Sequence, residues 1–353
     1  MAQVTEDSVR AALATVKYPG FNRDIVSFGL VKNISIEGGD VVVDISIATK
    51  DADIPRQIHS AGMAAVSAVP GVDQVRLDFD IQNPPAQGGG QDANVQTGIP
   101  GIGKIIAVAS GKGGVGKSTV SANLAVSLQK AGARVGLCDC DLYGPSVALM
   151  FGSDERPMAT AENEIIPIEK YGLKLMSMGF LLEDSSPAIV RGPMAHRYTQ
   201  QFLRNVAWGE LDYLILDLPP GTGDIQLTIV QTVALAGVVV VTTPQEVALI
   251  DARKAASMFS KVNVPVLGVI ENMSYFICPN DGNKYAIFGE GGGAAEAERL
   301  GVPLLGQIPL DIATREGGDA GAPVALKSSE ENPVSAAFHQ IADEVTKVVP
   351  AKG

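Results

Sequence analysis

Hydrophobic positions along this chain change period several times, and the changes mark its elements. Residues 6–16 place Val9, Ala12, Leu13 and Val16 at helical spacing. VVVDISI (41–47) is β-branched and reads as a strand, with Gly38-Gly39 before it suiting a hairpin turn. Residues 55–68 return to helical spacing, and QVRLDFDI (74–81) alternates like a strand. This opening stretch predicts a small α+β domain over 1–82. NPPAQGGGQDANVQTG (83–98) follows, with one charge, two prolines and three consecutive glycines, and reads as a flexible linker.

From residue 99 to 353 one theme repeats: a short apolar run, turn residues, then a helical stretch. The runs are KIIAVAS (104–110), RVGLCD (134–139), YLILD (213–217), VVVVTT (238–243) and VLGVIE (266–271). Runs apolar on both faces suit buried parallel strands, and their alternation with helices implies right-handed crossovers. The prediction is an α/β domain with a doubly wound, mostly parallel sheet. Ligands of such sheets bind at the carboxyl ends of the strands, so chemistry is expected just after each run.

Composition narrows the field. At 353 residues with 46% hydrophobic and 19% charged positions, a sizeable core is available and global disorder is excluded. A formal net charge of −12 argues against nucleic acid or anionic lipid as a default partner. No apolar run is long enough to span a membrane, and MAQVTEDSVRAAL does not read as a secretory signal. Three cysteines, Cys138, Cys140 and Cys278, give no disulfide framework; a cytoplasmic protein is expected. His59, His196 and His339 are too far apart in sequence to form a metal-spaced set. There is no internal repeat.

The sharpest motif follows the first run: Gly111-Lys112-Gly113-Gly114-Val115-Gly116-Lys117-Ser118-Thr119, which fits G-x-x-x-x-G-K-[ST] between a strand and a helical stretch. A chance match is expected only ~0.02 times in a chain this long. Glycines let backbone N–H groups turn inward around phosphate oxygens, and the helix N-terminus adds partial positive charge. Lys117 suits the β- and γ-phosphates, and the Ser118 hydroxyl suits Mg²⁺. Asp217 ends a run of four apolar residues, the Walker B pattern, and is expected to hold Mg²⁺ through a water. Asp139 and Asp141 end an earlier strand, and Asp224 follows a glycine turn as a candidate switch residue. GEGGGAAEAERLG (289–301) reads as a glycine loop entering a helix, and Arg191 in RGPM is a candidate for contacts to nucleotide or dimer. Cys138 reads as a buried structural thiol; Cys140 is left open.

Lys112, beside the first glycine, resembles the extra lysine of the deviant Walker A in the MinD/ParA/nitrogenase-iron-protein ATPase class. The strings IIAVASGKGGVGKSTVSANLA, DLYGPS, RGPM, LILDLPPGTGD, TTPQEVALIDARKA, ENMSYF and FGEGGG are similar to the Mrp/ApbC family of P-loop ATPases over nearly all of residues 99–345. The N-terminal stretch resembles the small iron–sulfur-assembly domain that many of them carry. The resemblance implies an ATP-hydrolysing iron–sulfur cluster carrier working as a homodimer, with apo iron–sulfur proteins and assembly factors as partners. It implies that Lys112 reaches the partner's nucleotide, that Asp139 sits near the metal with Ser118 and Asp217, and that Asp141 positions the attacking water. It also implies that Asn272 hydrogen-bonds adenine while the chain near Pro309 covers the ring. ATP rather than GTP rests on this resemblance.

In one place the chain departs from the family. Most members carry C-x-x-C after the ENMSYF strand, whereas this chain reads Cys278-Pro279-Asn280-Asp281. Thiolates are the soft ligands that clusters take. Cys278 is thus the one candidate ligand in that turn, with Asp281 in place of the second. Two other function classes compete. One is a ParA/MinD-like positioning ATPase, but VSAAFHQIADEVTKVV carries one lysine and an apolar stripe (Val334, Phe338, Ile341, Val345, Val348), which reads as a docking helix rather than a basic membrane anchor. The other is a scaffold whose nucleotide only gates contacts.

Overall fold

The structure is a computed structural model that describes residues 4–19, 24–48, 53–82, 98–141, 144–160, 164–180 and 203–351. Arg191, His196 and most of the 83–98 segment lie outside them. The chain falls into two compact units, residues 1–93 and 94–353.

In the first unit, α1 (Glu6–Leu13) starts at Thr5, whose hydroxyl accepts the Ser8 N–H as an N-cap. β1 (Val31–Glu37) and β2 (Asp40–Ala48) form an antiparallel hairpin. Its turn carries Gly38 at φ 65°, a conformation that side chains resist. α2 (Asp53–Ser67) then crosses over to β3 (Gln74–Gln82), which pairs parallel to β2. Val9, Leu13, Val43, Ile45, Ile58 and Val66 are buried in one core. The helices and the 41–47 and 74–81 strands follow the sequence pattern. β1 does not announce itself, because the adjacent polar residues Lys32 and Asn33 break the alternation of VKNISIE.

The second unit contains β4 (Ile102–Ala109), α3 (Lys117–Lys130), β5 (Val135–Asp139), α4 (Val147–Met150), β6 (Ile168–Lys170) and β7 (Leu173–Ser177). β8 (Leu211–Asp217), α5 (Asp224–Thr232), β9 (Gly237–Thr242), α6 (Glu246–Lys261) and β10 (Val266–Ile277) follow. β11 (Lys284–Tyr285), α7 (Gly292–Leu300), β12 (Leu304–Leu310), α8 (Ile312–Asp319) and α9 (Pro333–Val348) complete it. The sheet runs β11-β10-β9-β4-β8-β5-β7-β6, with β12 also pairing to β10. All pairings are parallel except β6 with β7 and β11 with β10. β4 lies between β8 and β9, where the chain reverses its direction of travel across the sheet. A crevice at the carboxyl ends of the strands belongs there.

α3 is buried on nearly every side, Ser121, Asn123 and Ser127 included. Small side chains let sheet and helix approach closely, and Asn123 spends its amide on the Thr119 carbonyl and the Ala325 N–H. α9 packs on α3 and β12 through Val334, Phe338, Ile341 and Val345, while Val348 is exposed, so the predicted apolar stripe stops one turn early. Among the described residues no helix is long and apolar enough to cross a membrane. The chain near 272 also differs from the sequence reading. The strand does not stop at Glu271 but continues to Ile277, with Met273 at φ 53° and a register shift against β12 between Asn272 and Phe276.

Candidate functional site

The turn from β4 to α3 is shaped by two close approaches. A Cβ on Gly111 would fall 2.0 Å from the Asp251 carbonyl, so only glycine lets this loop lie against α6. Gly116 sits at φ 80°, and a Cβ there would fall 2.2 Å from the Asn272 amide nitrogen. The loop ends on the N-terminus of α3, where free N–H groups and the helix dipole favour an anion. Gly113 and Gly114 are exposed, Lys112 is half-buried, and the Lys112 carbonyl accepts the Ser110 hydroxyl at 2.9 Å.

Lys117 is the first residue of α3 and turns inward to Asp217 at the end of β8. Its Nζ lies 2.6 Å from Asp217 Oδ1, and the two side chains are 7% and 0% exposed. Ser118 donates to the other carboxylate oxygen at 2.6 Å, and Ser121 donates to Oδ1, also at 2.6 Å. The sequence reading brought Lys117, Ser118 and Asp217 together, and so does the fold. It missed Ser121, although a serine three residues after Ser118 faces the same side of a helix.

Asp139 stands directly across from Asp217 in the β5–β8 register. Its Oδ2 accepts the N–H groups of Ser146 and Val147 and the Ser177 hydroxyl, and its Oδ1 accepts the Asp141 N–H. This carboxylate therefore anchors the chain that leaves β5, a task that sequence spacing did not show and that needs Ser177 from the neighbouring strand. Asp141 begins that segment, half-buried, and accepts the Gly144 N–H at 3.1 Å.

Burial, and next the charge of Asp217, push Asp139 up to about 7 against the pull of the surrounding N–H groups. A raised carboxyl means that the fold holds its proton more tightly than the unfolded chain does. Asp139 ionisation therefore costs stability progressively as pH rises from 3.8 to about 7, and no further above that. The nucleotide- and metal-free protein is expected to lose melting temperature relative to Asp139→Asn as pH rises through this window. Parallel melting curves for the two proteins between pH about 5 and about 7.5 would contradict the assignment.

On the other side of the loop, Asn272 is 7% exposed and donates from Nδ2 to the Val115 carbonyl at 2.9 Å. Pro309 is buried near the end of β12, the strand that pairs with β10 at Asn272. Next to it, Glu271 is fully buried, and its Oε1 accepts the Ser274 hydroxyl at 2.5 Å and the Gln307 amide at 2.8 Å. Its Oε2 accepts the Gly293 N–H at the start of α7, where the helix dipole favours a carboxylate. No local pattern marks this acid as buried. The loop 289–291 does enter a helix, as expected. The Asp224 side chain lies outside what the structure describes.

Cys278 follows β10 at the head of a short hairpin, half-buried, with its N–H on the Asn283 carbonyl and its carbonyl accepting the Gly282 N–H. Asp281 faces the same turn. The Asn283 N–H and then the Tyr285 hydroxyl hold its carboxyl below the ordinary range, with a smaller contribution from the Cys278 thiol. Cys138 and Cys140 are both buried, their sulfurs 3.9 Å apart. Contact with the Cys138 thiol and burial push the Cys140 thiol well up, which makes it a poor source of thiolate. Among the described residues no three His, Cys, Asp or Glu side chains stand together as a metal-ion site.

Comparison with known proteins fits this geometry. Residues 6–77 match the family described as iron–sulfur cluster assembly protein. The iron–sulfur cluster carrier protein of Deinococcus radiodurans is 47% identical over 325 residues, covering 92% of this chain and 90% of that one. The protein of the same name from Synechocystis is 41% identical over 351 residues, covering 97% and 98%. Among solved structures, a nucleotide-binding protein from Archaeoglobus fulgidus in complex with ADP is 41% identical, with a TM-score of 0.58 over 64% of this chain and 90% of that one. The cell division ATPase MinD of Pyrococcus furiosus, 24% identical with a TM-score of 0.53, shares the fold. Residues 101–346 match the family described as NUBPL iron-transfer P-loop NTPase, and with that match spanning most of its length the chain belongs to this family.

Proposed function

We propose that this protein binds and hydrolyses ATP and uses the cycle to carry iron–sulfur clusters to apoproteins. The observation that carries the nucleotide half is the convergence of Lys117 and Ser118 with Asp217 at the mouth of a glycine loop. Loop amides from Gly111 to Thr119 surround the phosphates, and Lys117 moves from its carboxylate partner to the phosphate tail. The Ser118 hydroxyl and the Asp217 carboxylate are hard oxygen donors side by side, a set that fits Mg²⁺. Mg²⁺, when bound, neutralises charge on the β- and γ-oxygens. Asp139 keeps the segment beyond β5 in place, and Asp141 on that segment orients water in line with the terminal phosphate. Lys112, at the open edge of the loop, reaches the nucleotide of a second copy, and Asn272 with the chain at Pro309 takes adenine.

Cys278 handles the cargo. The other two thiols are buried, so each chain offers one accessible thiolate, and a cluster needs more than one. Two chains meeting at the 278–285 hairpins supply two, which is why we propose a homodimer. The positioning-ATPase reading is disfavoured by α9, whose Val334, Phe338, Ile341 and Val345 are used inside the fold rather than presented to a membrane. Three free thiols support a reducing, cytoplasmic setting for this cycle. Anaerobic reconstitution with iron and sulfide, followed by an ultraviolet–visible spectrum, an iron count and transfer to an apo-ferredoxin, tests the proposal. A charge-transfer band, and transfer that responds to Mg-ATP, are expected. Colourless protein after reconstitution removes the carrier reading and leaves the ATPase standing.

A further inference from the structure

Asn272 was expected at the base, yet its observed contact is with the phosphate loop. Its amide nitrogen donates to the Val115 carbonyl at 2.9 Å and occupies the space that Gly116 leaves by lacking a Cβ. A peptide unit is planar and trans, so its C=O and N–H point to opposite sides. Fixing the Val115 carbonyl toward Asn272 therefore fixes the Gly116 N–H away from it, one residue before Lys117 and the start of α3. This bond uses one of the two amide protons. The second proton and the carbonyl oxygen still match the N7 and N6 edge of adenine, so the contacts are compatible.

We propose that Asn272 is a positioning residue for the phosphate loop, holding the Val115–Gly116 peptide in place whether or not a base is present. The inference rests on the phosphate-binding reading above. It makes base end and phosphate end one unit: a side chain from β10 sets the loop that follows β4, across the intervening β9. The left-handed turn at Met273 comes immediately after the contact, so Asn272 lies just ahead of the kink.

A ligand with phosphates and no base separates this role from base recognition. Calorimetry would compare Mg-ATP and Mg-tripolyphosphate on the full chain for wild type, Asn272→Ala and the near-isosteric Asn272→Leu. Loss of one buried hydrogen bond predicts tripolyphosphate affinity falling by about tenfold in both variants. Unchanged tripolyphosphate affinity beside weakened ATP affinity overturns the proposal, because the side chain then serves only the base. Wild type that takes Mg-ATP and rejects tripolyphosphate overturns it too. Wild type that takes neither defeats the nucleotide reading itself. A second measurement needs no ligand: amide hydrogen exchange at 115–118 should quicken in the variants while exchange in β4 stays as it was. Equal exchange at 115–118 in wild type and variants counts against the proposal, and a general quickening in β4 would mark a merely structural role.

Discussion

Lys117→Ala is expected to lower ATP hydrolysis about 10³-fold, and it should also destabilise the protein before any nucleotide is added. The first effect follows from removing the cation aimed at the phosphate tail. The second comes from what Lys117 does in the free protein, where it pairs with a carboxylate that is 0% exposed. Removing one partner of a buried ion pair leaves the other uncompensated, typically at a cost of about 3–5 kcal/mol. Ser118 and Ser121 still donate to Asp217, so the lower part of that range is expected. Adding Asp217→Asn should restore much of the lost stability and none of the activity, because it removes the stranded charge together with the magnesium ligand. Chemical denaturation of the two single variants and the double variant, alongside phosphate release, checks both statements. A double variant no more stable than Lys117→Ala would mean that the pair is not what holds these elements together.

Cys278→Ala is expected to abolish cluster retention, with iron per chain after anaerobic reconstitution falling at least about tenfold and hydrolysis unaffected. Cys138 and Cys140 cannot substitute, since both are buried. Asp281→Cys should do the opposite. Asp281 already shares a turn and a thiol contact with Cys278, so a sulfur at 281 gives two thiolates per chain and four across a dimer. Clusters in that variant should survive gel filtration and chelator longer than those in wild type. Wild-type retention in Cys278→Ala would move the cargo site elsewhere. Faster loss from Asp281→Cys would show that the carboxylate is itself the preferred partner of the thiol.

Much of the architecture was legible because buried parallel strands are apolar on both faces. The five runs that the pattern marks are β4, β5, β8, β9 and the first half of β10. The strands it missed have physical reasons to be quiet. β7 reads LKLMS with a lysine at its second position, and Lys174 spends its ammonium on the Trp208 carbonyl. β12 reads LLGQIPL, and a proline argues against a strand. Its described pairing is with β10 alone, so the missing N–H of Pro309 interrupts no second ladder. β10 runs past its apolar half because Glu271 and Asn272, polar and buried, find partners on α7, on β12 and in the loop after β4.

Local spacing and residue type alone mark the phosphate loop, the acids at the strand ends, the alternation of strands and helices along the chain and the single cysteine at 278. How those residues divide the work comes from the packing of distant elements. Asp217 faces Lys117, Ser118 and Ser121, Asp139 holds the loop after β5 while accepting the Ser177 hydroxyl, and Asn272 reaches the Val115 carbonyl. Those partners are 38 to 157 residues apart where they come from different strands or from strand and loop. No local pattern encodes such contacts. They follow from the pairing order of the sheet, which brings the ends of β4, β5, β7, β8 and β10 to one edge and leaves each buried polar group only the partners that arrive there.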